Sequence, residues 1–153
     1  MLVLSALLIG IVAGLRAFTA PAAVSLAARW GHIGLAGTPL AFMAYRWTPW
    51  IFLVLAVAEL VGDQLPATPS RKVPLQFGTR IVMGALAGGA LGASAAMLGL
   101  GLIAGAVGAV VGTLVGAAVR AWLAAAFRHD RPAALIEDVI AIAGAWLIVC
   151  CLA

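Results

Sequence analysis

The sequence predicts an all-α fold: a polytopic transmembrane helical bundle of about five spans forming one domain over residues 1–153. Apolar residues of the AVILMFWYC set make up 65% of the chain and charged residues only 9%. The mean hydropathy of +1.19 lies well beyond that of an ordinary soluble domain. The apolar runs are long enough to serve as spans, which need roughly 20 residues each, and nothing in the chain reads convincingly as a strand. With 153 residues, no room is left for a second, soluble domain.

The first span is expected over residues 2–28. No basic residue precedes it and Arg16 interrupts it, so it reads as a retained helix and not as a cleaved signal peptide. Pro21 removes a helix hydrogen bond and is expected to kink or unwind the last turns. Residues 31–46 contain Gly34, Gly37 and Pro39 and are too short to cross comfortably, so they form a loop, an interfacial segment or a shallow re-entrant piece. Trp47 and Trp50 suit a water interface. A second span over 48–65 ends at Pro66, where Pro66, Pro69 and Pro74 exclude a continuous helix. The remaining spans are expected over 77–98, 102–127 and 133–152.

Basic residues in the connections set the orientation, because cytoplasmic loops carry more Lys and Arg. Arg71, Lys72, Arg128 and Arg131 gather on one side, against Arg29 and Arg46 on the other. For five spans this places the N-terminus in the cytoplasm and the C-terminus outside, in a multi-pass membrane protein.

Two stripes of four-residue spacing mark the third and fourth spans: Arg80, Gly84, Gly88 and Gly92, then Gly108, Gly112, Gly116 and Arg120. Each stripe lies on one helix face, and small residues at this spacing let helix backbones approach closely in lipid. An antiparallel hairpin of these two spans is expected. The same faces would also suit a homo-oligomer.

The chemistry-bearing residues are the charges within or beside the apolar runs. Glu59 and Asp63 share a helix face near the end of the second span, and Glu137 and Asp138 open the last. Arg16 sits mid-span, where a lone guanidinium costs at least a few kcal/mol unless it snorkels, meets water or finds an acid, and Glu59 is the natural candidate. The expected pairs are Arg16 with Glu59, and Arg80 with Glu137 or Asp138. Gly14-Leu15-Arg16 and Gly78-Thr79-Arg80 hint at a weak internal repeat of the kind that flanks transporter sites. Ser70, Arg71 and Lys72 could contact a phosphate or lipid headgroup, although a positive-inside anchor needs the same cations. No metal site or cofactor is expected: Cys150 and Cys151 are adjacent and lack spaced partners, and His32 and His129 lie in connections. No nucleic-acid partner is indicated; the bilayer is the expected one.

Gly14-Leu15-Arg16-Ala17-Phe18 with Pro21, Glu59-Leu60-Val61-Gly62-Asp63-Gln64-Leu65-Pro66 and Leu135-Ile136-Glu137-Asp138-Val139 together resemble a family of small bacterial integral membrane proteins known only as a domain of unknown function. The resemblance spans most of the chain. It implies a membrane fold and no particular reaction. Members of that family often carry Asn in place of Arg16 and Asp-Lys in place of Asp63-Gln64, which makes Glu59, Asp63, Glu137 and Asp138 the stronger functional candidates.

The leading functional expectation is a small transporter or permease in which Glu59, Asp63, Glu137, Asp138, Arg16, Arg80 and Arg120 line a polar site near the cytoplasmic face. A structural or assembly protein whose charges fix the bundle is the alternative. An enzyme or binder acting on a phosphorylated lipid is a third reading. No catalytic residue is assigned.

Overall fold

The computed structural model describes residues 1–63 and 73–151. Six α-helices and one short 3-10 turn make up the described fold: α1 (Leu2–Leu15), α2 (Thr19–Arg29), the 3-10 turn (Ala41–Ala44), α3 (Thr48–Gly62), α4 (Pro74–Ser94), α5 (Leu98–Phe127) and α6 (Asp130–Cys151). There is no strand among the described residues. Pro49, Pro74 and Pro132 each sit in a first helical turn, where a missing N–H removes no intrahelical bond.

Two helices, α5 and α6, are long and apolar enough to cross a membrane. The 21 residues of α4 would match them in length, but its glycines and Arg80 dilute its hydropathy. The expected set of five spans thus reduces to these two helices and a group of shorter or less apolar ones. The cause lies mainly at the N-terminus, where the span expected over 2–28 is two helices and not one.

Pro21 explains that division. In a continuous helix its ring would collide with the carbonyl of Ala17, so helical geometry has to stop just upstream. The chain does so at Arg16, which is extended (φ −138°, ψ 111°), and α2 restarts with Pro21 inside its first turn. The break therefore comes before the proline and is complete, where a kink or unwinding of the last turns was expected. The segments on its two sides also run in opposite directions. Leu7 lies against Gly108, Ile11 against Gly112 and Gly14 against Thr113, so α1 runs parallel to α5. In α2, Ala20, Val24, Ala27 and Ala28 join Ala90 and Ala93 of α4 and Ala145 and Val149 of α6, returning toward the end where α1 began. The two helices form a hairpin with residues 16–18 at its tip.

Helix α5 is the spine. A methyl group added at Gly88 would lie 2.6 Å from the carbonyl oxygen of Gly101, and one at Gly92 2.6 Å from that of Met97. This is backbone-on-backbone packing of α4 against α5, antiparallel as their spacing predicts. The partners differ from the expected stripe. The turn at 95–97 sets a register in which Gly84 and Gly88 face Gly105 and Gly101, whereas Gly108 and Gly112 pack against α1. Positions 101, 105, 108 and 112 fall within about 60° on one helix face, so α4 and α1 pack on one smooth surface and meet at Gly105. Within the chain these four glycines are covered by α4 and α1.

Small and charged residues sit beside the apolar core, and many large apolar side chains are exposed. Ala13, Ala87, Ala90 and Ala109 fill the centre together with Arg16 and Arg80, whereas Val54, Val61, Trp122, Val139, Trp146 and Leu147 face outward. The segment 31–46 lies as a cap on the end remote from Arg16, burying Ile33, Leu35, Leu40 and Met43, with Leu40 against Gly89. Trp30, Tyr45, Trp47 and Trp50 stand exposed around it.

Gly105 is wedged between the backbones of Gly84 and Gly10. Gly105→Ala should lower stability by about 1–3 kcal/mol because no flexible side chain can yield. Gly99→Ala, with open space around it, should be neutral. Thermal denaturation of the purified variants in detergent checks both; equal melting temperatures would refute the close packing.

Candidate functional site

The hairpin tip leaves two helix ends inside the protein, each with unsatisfied backbone groups and a partial charge. At the end of α1, the Arg80 guanidinium donates through Nη1 to the carbonyls of Gly14 (2.8 Å) and Leu15 (2.5 Å). The Thr113 hydroxyl adds a 3.2 Å bond to Gly14 O while also donating to Ala109 O at 2.8 Å. Ahead of α2, the N–H groups of Ala17 and Phe18 donate to the two carboxylate oxygens of Glu59 at 2.9 and 3.0 Å. A cation meets the negative helix end and an anion the positive one. Arg80 and Glu59 also touch, at 3.3 Å, closing a clamp across the break.

Arg16 occupies the tip itself and is completely buried. Its Nη1 lies 2.5 Å from Asp63 Oδ2, and its Nη2 pairs with Asp138 Oδ1. Asp63 Oδ2 also accepts from Arg120 Nη1 at 2.7 Å, so one carboxylate oxygen joins two guanidinium groups. Arg120 forks onto Asp130 through Nε (2.9 Å) and Nη2 (2.5 Å) and approaches Glu137 Oε2 at 3.6 Å. Glu137 and Asp138 are themselves buried.

All seven residues expected to build a site are thus brought together: Arg16, Glu59, Asp63, Arg80, Arg120, Glu137 and Asp138. Their pairing is exchanged relative to expectation. Arg16 takes Asp63 and Asp138 in place of Glu59; Arg80 takes Glu59 in place of Glu137 or Asp138. The exchange follows from the hairpin. Once α1 stops at Leu15, its exposed carbonyls need the cation on α4, and the N–H groups that follow need the nearest acid on α3. The two Gly-x-Arg segments also differ locally, since Gly78-Thr79-Arg80 lies within continuous helix and Gly14-Leu15-Arg16 at a break.

Asp130 belongs to the network although its sequence position suggested nothing more than a connection. Its signal was available: an acidic residue two before Pro132 is a helix start, one turn before Ala134 and on the same helix as Glu137. With Asp130 included, the five acidic residues of the chain all take part. Ser70, Arg71 and Lys72, expected to meet a headgroup or phosphate, lie outside the described residues. Among the described residues no group of three or more His, Cys, Asp or Glu side chains could hold a metal ion.

The fold and this cluster define an all-helical protein, carrying two helices able to cross a membrane, whose interior is organised around buried arginine–carboxylate pairs. The chain belongs to the family of the domain of unknown function DUF4126, which matches residues 3–151. No curated protein and no solved structure matches it.

Removing one member of a buried ion set strands its partners. Arg16→Gln should therefore destabilise the protein by about 3–5 kcal/mol. Neutralising a carboxylate as well, in Arg16→Gln with Asp138→Asn, should recover part of that loss. Denaturant unfolding of the two single variants and the double variant gives the coupling, and strictly additive losses would show that the pair does not interact.

Proposed function

We propose that this chain is a small membrane transport protein that moves a proton or a small ion through the ionic cluster at the hairpin tip. The observation that carries the reading is the broken helix. Its two ends are turned toward Arg80 and Glu59 inside the protein, with buried Arg16 between Asp63 and Asp138. Non-helical backbone within a bilayer is tolerated where protein or a water-filled path surrounds it, and discontinuous helices whose ends meet charges are how transporters build their sites. The outward Val, Ile, Leu and Trp side chains support a membrane setting, since a water-facing surface this apolar would aggregate.

The exposed aromatic group around Trp30, Tyr45, Trp47 and Trp50 suits one headgroup region. Arg128 and Arg131 follow α5 at the opposite, ionic end, which under the positive-inside rule faces the cytoplasm. Because α1 and α2 form a hairpin, this orientation puts Met1 outside, on the same side as the C-terminus. The sequence alone led to an N-terminus inside.

A second reading is favoured by the complete burial of Arg16 between two carboxylates: the network is a fixed lock that holds the hairpin in the bundle. Proteoliposomes with an internal pH dye and an imposed potassium–valinomycin gradient separate the two. Transport predicts protein-dependent proton flux that Glu59→Gln and Asp138→Asn abolish while the purified variants still unfold cooperatively. A lock predicts no flux in the parent protein and lowered melting temperatures in both variants.

A further inference from the structure

A cleft of about 300 Å³ runs between α1, α5 and α6 and ends at the ionic cluster. Its walls include Val115, Val119 and Ile136, its floor is hollowed at Gly116, and Arg120 and Glu137 are the charged residues in its lining. We propose that this cleft takes the hydrocarbon chain of an anionic amphiphile, such as an alkyl phosphate or fatty carboxylate, whose head group binds Arg120. The inference rests on the membrane setting of the transport reading, and it names a regulator class for the same site.

Size selects a single chain. A helix from a second copy is about 10–12 Å across with its side chains and does not fit a space at the lower end of small-molecule pockets, about 300 Å³. The apolar wall accounts for the tail. The head group follows from Arg120. Its Nε and Nη2 already form a two-pronged contact with a carboxylate, the geometry that carboxylates and phosphates share.

That carboxylate belongs to Asp130, whose side chain is 59% exposed. Asp130 is the exposed partner of the pair, so an incoming anion that makes the same two bonds to Nε and Nη2 can replace it like for like. Asp63, held at 2.7 Å on Nη1 and largely buried, keeps Arg120 in place during the exchange. Asp130 thus acts as the resident stand-in for the ligand's head group.

The test uses full-length protein in detergent with two photoreactive probes of equal chain length, dodecyl phosphate and dodecyltrimethylammonium, each carrying a diazirine on the tail. The phosphate probe should label cleft residues such as Val115 and Ile136, and the ammonium probe should not. Val119→Trp, which fills the cleft from an outward-leaning position, should lose the labelling. Asp130→Asn removes the competing charge, so it should tighten binding of dodecyl phosphate by about fivefold. Equal labelling by both probes, labelling that survives Val119→Trp, or a cleft protected by chain–chain crosslinking would each overturn the proposal. Loss of flux in Asp138→Asn with an unlabelled cleft would remove the amphiphile alone; a labelled cleft without flux would remove transport alone.

Discussion

Everything in this fold depends on how the two free helix ends at Arg16–Phe18 are satisfied. A helix interrupted inside a protein exposes carbonyls at one end and N–H groups at the other, and burying them unpaired costs a few kcal/mol per group. Arg80 and Glu59 each answer one end, then bond to each other. Because Arg80 is on α4 and Glu59 on α3, satisfying the break also fixes where those helices stand. The clamp is at once a backbone cap and a tertiary constraint.

The smooth glycine face of α5 makes the clamp reachable. Arg80 can touch Gly14 and Leu15 because α1 and α4 both press their backbones onto α5, through Gly10 and Gly14 on one side and Gly84 and Gly88 on the other. Larger residues at these positions would push the helices apart and leave the carbonyls out of reach. Close packing and charge neutralisation are therefore coupled. The outer surface has the opposite task and is built from large apolar side chains, which leaves the ionic chemistry inside.

Much of this was legible in the residues. Charges stranded in apolar runs picked out Arg16, Glu59, Asp63, Arg80, Arg120, Glu137 and Asp138, because an unpaired charge is too costly to be placed at random. The glycine spacing also announced that α4 and α5 approach closely. Their register was not visible, since a four-residue repeat says which face is small and leaves open which height of the partner it meets. The hairpin was hidden for a related reason. Pro21 reveals that helical geometry must fail near Ala17, yet a kink, a gap and a reversal all satisfy that local demand. Only the positions of Glu59 and Arg80 decide among them, and once the reversal is made the ion pairs have to exchange partners.

The hairpin places residues 2 and 32 at the same end of the bundle, whereas a single span over 2–28 would separate them across the membrane. Leu2→Cys and His32→Cys, each made in a chain with Cys150 and Cys151 replaced by Ser, can be treated in intact cells with a membrane-impermeant maleimide. The hairpin, in the membrane orientation proposed from its basic end, predicts that both positions react from outside. Reaction of His32→Cys from outside, with Leu2→Cys reached only after the cells are opened, would contradict it.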